Sequence, residues 1–211
     1  MKKIVVIFDF DGTLADSFHC FQVIINKLAQ EFNFRSVQTA EVDAFRNKNS
    51  REVIHALQIP VFKLPIILAR AKKEFNKVMP EIQVFPGIRD VLLQLKVEKI
   101  MVGLLTSNAV DNVQCFLKNN QLDLFDFIYT SSGLWGKTRR LKKTIAKHNF
   151  ARSQVFYIGD ETRDIEAARK AGVSIISVAW GYNTIDALKV FSPDYLINTP
   201  QEILAICAKE R

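Results

Sequence analysis

The sequence is poor in three things that would otherwise decide its class. It has three cysteines, Cys20, Cys115 and Cys207, odd in number, widely scattered and without ligand spacing. That pattern excludes a disulfide framework and a thiolate zinc site, and reduced thiols are expected, with Cys20 and Cys207 packed on helix faces. It has three histidines, His19, His55 and His148, of which only His19 stands near a strand-end motif, so helix-surface positions are expected for them. It also lacks a long opening apolar run. The stretch after Met1-Lys2-Lys3 ends at Phe8, shorter than the roughly 7–15 residues of an export segment and far below the ~20 that span a bilayer. A cytoplasmic protein without a membrane partner is expected. Neither an internal repeat nor a low-complexity segment is visible.

What is present is a chain of 211 residues, 48% of them hydrophobic, which excludes disorder and suits one α/β domain with a small insertion. The net charge of +7 raises the possibility of a nucleic-acid partner. Its distribution argues otherwise, because basic residues are scattered over many helices. The one dense run, from Lys137 to Lys147, also carries Leu141, Ile145 and Ala146, so its surplus cations read as the solvated side of an amphipathic helix. No nucleic-acid partner is expected, and the charge should mildly steer anionic ligands.

The most informative stretch runs from Ile4 to Ser17. A strand of Ile4, Val5, Val6, Ile7 and Phe8 ends abruptly in Asp9 and Asp11, separated by Phe10 and followed by Gly12. Unpaired carboxylates at that depth cost several kcal/mol, on the order of a buried ion's desolvation, so two of them call for a cation. Residues i and i+2 on an extended strand point the same way, so both could serve one site. The same event recurs. The run Ile100 to Leu105 ends in Thr106, Ser107 and Asn108, and Val155 to Ile158 ends in Gly159, Asp160 and Glu161, with Asp164 one helical turn on. Between them Gly136-Lys137-Thr138 reads as a helix start. In an open parallel sheet the carboxyl ends of the strands form one rim, where ligands bind.

These four ordered segments resemble the motifs of the haloacid dehalogenase superfamily, in its phosphoglycolate phosphatase-like branch. Asp9-Phe10-Asp11-Gly12-Thr13-Leu14 with Asp16 and Ser17 matches the first motif, Thr106 the second, Lys137 the third, and Gly159-Asp160 with Asp164 the fourth. The likeness covers nearly the whole chain and weakens between about Ser17 and Val84. Two departures weaken the substrate assignment without removing a functional group: Thr138 follows Lys137 where proline is common, and Glu161 stands where a small polar residue is frequent.

The resemblance implies a Mg²⁺-dependent phosphatase acting on a small phosphorylated metabolite, such as phosphoglycolate or a sugar phosphate. Asp9 would be the nucleophile and Asp11 the general acid and base. Mg²⁺ would be ligated by Asp9, Asp160 and the Asp11 carbonyl, while Asp164 and Glu161 would hold metal-bound waters. Thr106, Ser107 and Asn108 would bind phosphoryl oxygens, and Lys137 would offset negative charge. Alternatives are a nucleotide 5′-phosphatase or phosphomutase on the same apparatus, or a phosphate-binding protein without turnover; a monomer or weak homodimer is expected.

From Ile88 onward helical and strand patterns alternate, which specifies a doubly wound, mostly parallel Rossmann-like sheet over residues 1–16 and 85–211. Residues 17–84 read instead as an all-helical insertion. Helices are expected from Phe18 to Phe32, about Val37 to Phe45, Ser50 to Leu57 and Leu64 to Val78, with Ser50 as an N-cap. An insertion leaving the loop after the first strand must sit over the site rim, and in the family it resembles such a cap selects the leaving group. Its segment Arg46 to Arg51 is the expected substrate contact, through Arg46 and Arg51. At the other end of the chain, Thr199-Pro200-Gln201-Glu202 reads as a capping box opening the last helix.

Overall fold

The computed structural model describes residues 3–130 and 136–211. Six strands form one sheet in the order β3-β2-β1-β4-β5-β6, where β1 is Val5–Phe8, β2 Met101–Thr106, β3 Phe127–Thr130, β4 Val155–Gly159, β5 Ser174–Val178 and β6 Tyr195–Ile197. Every strand pair is parallel. The first strand is central: Val5 faces Met101 on one side and Val155 on the other, and Phe8 faces Leu104 and Ile158. A strand with neighbours on both edges and helices on both faces needs a continuous apolar run, which is what Val5-Val6-Ile7-Phe8 supplies.

Alternate residues of that run feed two cores. Val6 and Phe8 join Leu92, Phe116 and Ile203 on one face, packed by α5 (Ile88–Val97), α6 (Val110–Asn119) and α10 (Glu202–Glu210). Val5 and Ile7 join Leu141, Ile165 and Leu188 on the other, packed by α7 (Lys137–Lys147), α8 (Thr162–Ala171) and α9 (Ile185–Val190). Each fully buried aliphatic side chain contributes about 1.5–3 kcal/mol relative to exposure.

The segment between β1 and α5 is helical: α1 (Phe18–Phe32), α2 (Val42–Arg46), α3 (Ser50–Ala56) and α4 (Leu64–Val78). It carries a cluster of its own, around Ile24, Leu28, Leu57, Ile59 and Ile67. The two chain crossings to the sheet run side by side, with Asp16 N–H on Gln83 O at 2.9 Å and Phe85 N–H on Leu14 O at 2.9 Å. Among the described residues no single helix is long and apolar enough to cross a membrane.

Four local expectations are corrected. The second insertion helix is shorter than periodicity suggested, because Thr39–Glu41 forms a 3₁₀ turn and α2 starts at Val42. Asn49, not Ser50, caps α3: its side chain accepts the Arg51 and Glu52 N–H groups, and Glu52 returns a bond to Asn49 N–H. The last helix opens at Glu202, whose carboxylate accepts the Asn198 and Thr199 N–H groups and the Thr199 hydroxyl, so that hydroxyl donates instead of capping. Finally α9, only six residues long and capped by Thr184 accepting the Ala187 N–H, has no counterpart in the sequence reading. Cys207 is buried, while Cys20 and Cys115 are half-buried, and all three are free.

Candidate active site

Asp9 lies one residue beyond β1 and is 3% exposed. Its N–H bonds to Ile158 O at 2.8 Å, which ties the end of β1 to β4 and carries the carboxylate toward Asp160. Single carboxylate oxygens of Asp9, Asp160 and Asp164 lie within 4.8 Å of one another, all three residues buried, so this trio could hold a metal ion. Lys137, at the first position of α7, donates to Asp9 Oδ2 at 2.7 Å and to Asp164 Oδ1. One ammonium against three buried acids leaves negative charge that a divalent cation would offset. Burial pushes the Asp9 carboxyl up to about 7 against the opposing pull of Lys137. Asp160 is also raised well above its ordinary value, by burial and by Glu161, Asp164 and Asp9. Burial alone would depress Lys137, but Asp164 and Asp9 outweigh it and hold its ammonium above its ordinary value.

The chain is fitted closely around Asp160. Thr13 Oγ1 donates to Asp160 Oδ1 at 2.7 Å, and Tyr182 N–H donates to Oδ2 at 2.7 Å. Two glycines make that approach possible. A Cβ on Gly12, whose φ is +77°, would sit 2.2 Å from Asp160 Oδ2, and one on Gly181 would sit 2.2 Å from the Asp160 Cβ.

Asp11 goes elsewhere. Its carboxylate accepts Ser17 Oγ at 3.1 Å and Asn108 Nδ2 at 3.3 Å, and it stands outside the acid trio. The strand rule that would have aimed it with Asp9 lapses because β1 ends at Phe8. Beyond it Phe10 O accepts the Thr13, Leu14 and Ala15 N–H groups in a tight turn. Burial raises the Asp11 carboxyl above its ordinary value, against the lowering effect of the Ser17 and Asn108 bonds.

Thr106 ends β2, is buried, and accepts the Asn108 N–H at 2.9 Å. Asn108 Oδ1 accepts from Ala109 N–H and Asn112 Nδ2, so the carboxamide facing Asp11 is held by the start of α6. Ser107 lies between them, half-buried. Glu161, expected beside metal-bound water, instead pairs with Arg163, which donates from Nε at 2.8 Å and from Nη2. His19 and His55 are exposed, and His148 bonds Tyr129 Oη at 2.9 Å.

The arginines of the insertion part company. Arg46, expected to contact substrate, donates from Nε to Tyr182 O at 3.0 Å and from Nη2 to Gly181 O at 2.9 Å, and its guanidinium lies 5.2 Å from the Phe18 ring centroid. Its remaining amino group faces Asp43 at 3.6 Å. Such a guanidinium holds the loop after β5. Arg51 instead lines a cavity of about 340 Å³ between the insertion and helices α7 and α8, together with Lys137, Arg163, Lys170 and one acid, Glu166.

Three site residues escaped the sequence reading. Tyr182, in the loop after β5, shares a 3.0 Å hydrogen bond with Ser17 and packs against Phe18 and Phe21. Asn183 is buried beside it. Arg163 had as its only signal its place between Glu161 and Asp164.

A parallel sheet whose central strand delivers an aspartate to a lysine and two further acids, with a second aspartate held apart, can hold a metal ion and present a carboxylate nucleophile beside it. Residues 6–178 match the haloacid dehalogenase-like hydrolase family, and the chain belongs to that family. It is 33% identical over 200 residues to a phosphoglycolate phosphatase of Synechococcus elongatus, covering 94% of both chains. It is 24% identical over 223 residues to a pyrophosphatase of Listeria innocua, covering 99% of this chain and 98% of that one. Among solved structures, a haloacid dehalogenase-like hydrolase of Streptococcus pneumoniae superposes with a TM-score of 0.83 at 26% identity, over 98% of this chain and 99% of that one.

Proposed function

We propose that the protein is a Mg²⁺-dependent phosphatase that hydrolyses a small phosphate monoester through an aspartyl-phosphate, with phosphoglycolate the first substrate to test. One observation carries the reading: the two aspartates that end β1 have opposite surroundings, Asp9 paired with Lys137 inside the acid trio and Asp11 hydrogen-bonded to neutral Ser17 and Asn108. Burial raises both carboxyls, but only Asp9 has an ammonium beside it that favours the ionised, nucleophilic form, so the nucleophilic role is assigned to Asp9 and the acid–base role to Asp11.

The ionised Asp9 carboxylate attacks phosphorus and forms an O–P bond as the ester O–P bond breaks, while protonated Asp11 gives its proton to the leaving alkoxide. Asp11, now a carboxylate, takes a proton from water as that water attacks the aspartyl-phosphate. The bond between Asp9 and phosphorus then breaks, returning Asp9 and releasing phosphate. Lys137 favours the ionised form of Asp9 against the opposing effect of its burial. Thr106 and Asn108 are assigned to phosphoryl oxygens, together with Ser107. Asp9, Asp160 and the Asp11 carbonyl would hold Mg²⁺, a hard ion suited to oxygen ligands, with Asp164 at its margin. When bound, the ion supplies positive charge to the phosphoryl oxygens.

Residues 17–84 act in this reading as a cap. The cavity shared by Arg51, Lys137, Arg163 and Lys170 suits a leaving group that carries a second negative charge, as phosphoglycolate and pyrophosphate do. Purified protein assayed with Mg²⁺ against phosphoglycolate, pyrophosphate, sugar phosphates and nucleoside monophosphates tests the assignment. Asp9→Asn, nearly equal in volume, should fold and retain less than roughly a thousandth of the wild-type kcat, as expected for a member of an interdependent catalytic set. Near wild-type turnover in that variant would sink the mechanism.

A further inference from the structure

The helical insertion meets the loop after β5 in a dense seam of hydrogen bonds. Asn183, 5% exposed in the loop after β5, is its centre. Its Oδ1 accepts the Thr162 N–H at 2.9 Å, at the first turn of α8, two residues beyond Asp160. Its Nδ2 donates across the interface to Arg46 O at 2.6 Å and Lys48 O at 3.2 Å, both in the insertion. Thr184 N–H reaches Arg46 O at 3.3 Å, and the Thr184 hydroxyl reaches Asn47 Oδ1. Arg46 answers from the insertion with its two bonds to the carbonyls of Gly181 and Tyr182. Tyr182, whose carbonyl Arg46 holds and which directly precedes Asn183, is also the residue whose N–H holds Asp160 Oδ2.

We propose that Asn183 is a positioning residue that fastens the insertion to the strand end carrying Asp160, so that seating the insertion and setting the Asp160 carboxylate are one event. The partners dictate the residue type. One N–H and two carbonyls require an acceptor and a pair of donors on one short side chain, which only an asparagine carboxamide offers here. Aspartate keeps the shape and the acceptor, but it sets a carboxylate against two carbonyl oxygens. Because Arg46 grips the same loop from the opposite direction, the two residues form one device.

The inference rests on the phosphatase reading only in its kinetic arm, and its primary readout needs no activity. Amide hydrogen exchange at Thr184, followed in the full chain, reports the seam directly. Exchange there should quicken about tenfold or more in Asn183→Ala and in Arg46→Ala, the second variant altering only the insertion loop should the first fold poorly. With Mg²⁺ and the best ester, Asn183→Asp and Arg46→Ala should each lower kcat/KM by roughly 10–100-fold, and the double variant should fall little below the worse single, as expected for partners in one network. Unchanged exchange at Thr184 in both single variants overturns the proposal, as do losses that multiply in the double variant. Quickened exchange in a protein that hydrolyses no phosphate ester would uphold the seam and bring down the phosphatase reading instead.

Discussion

Gly181 shows how little room single positions have at this site. A methyl group there would lie 2.2 Å from the Asp160 Cβ, closer than real carbon atoms pack, so either the loop or the aspartate must move. Gly181→Ala should therefore weaken Mg²⁺ binding roughly tenfold or more and lower kcat/KM, because the displaced carboxylate belongs to the acid trio; titration calorimetry with Mg²⁺ checks it, and unchanged affinity would show that the loop yields freely. Individual residues differed in how far the sequence revealed them. Asp9, Lys137 and Asp160 could be read off because each polar group stands where an apolar strand or a helix start makes it costly. Asp11 was legible as a site residue, while its separation from Asp9 was not, since nothing in the string says that the strand stops at Phe8. Asn183 and Arg46 were illegible as partners: 137 positions separate them, and the sequence pattern pointed Arg46 at substrate instead.

At the scale of elements, the insertion has its own electrostatic anchor. Glu74 on α4 is buried and receives Lys27 of α1 at 2.6 Å, Lys77 at 2.7 Å and Arg70. Hydrogen bonds from Lys27, Lys77 and Arg70 hold its carboxyl down at about 2, from an ordinary value of 4.5. A depressed folded-state value means stabilisation that is complete above the unfolded value and is lost as pH falls from about 4.5 toward 2. Glu74→Gln should accordingly lower the melting temperature at pH 7, and the gap from wild type should narrow progressively as the pH falls from about 4.5 toward 2; a gap that stays constant would assign the effect to packing. Long amphipathic stretches such as α1 and α4 were legible because apolar spacings of three and four repeat over several turns. The six-residue α9 and the 3₁₀ entry to α2 were not, since one turn offers no period and is decided by caps and tertiary contacts.

For the whole molecule, the order β3-β2-β1-β4-β5-β6 places β1 between the strands that end in Thr106 and Asp160, so three distant segments meet at one rim. That topology was legible in outline, because alternating strand and helix patterns permit few arrangements. If the acids gathered there hold Mg²⁺ as proposed, stability should depend on the metal. At a hundredfold excess over its dissociation constant a ligand adds about 2.7 kcal/mol, which for a chain of this size is a rise of roughly 5–10 °C in melting temperature. Mg²⁺ should produce such a rise, and chelator should reverse it. The sign of its pH dependence follows from Asp9, whose carboxyl rises from 3.8 to about 7. In the metal-free protein the folded state retains a proton that the unfolded chain has lost, so stability falls as pH climbs from about 4 to 7. The Mg²⁺-induced shift should be largest above pH 7, and thermal melts from pH 5 to 8 with and without the ion would reveal a shift of the opposite trend. The central place of β1 also bears on synthesis. The first strand made is the one that needs both neighbours, yet β2 begins at Met101 and β4 at Val155. A nascent chain that has emerged only as far as α7 can complete the locally folded helices of its insertion, but one edge of β1 has no strand to bond to, and such an edge is a template for pairing with other chains. For most of its time on the ribosome this protein therefore carries Asp9 next to an open sheet edge, and both are covered only when β4 arrives.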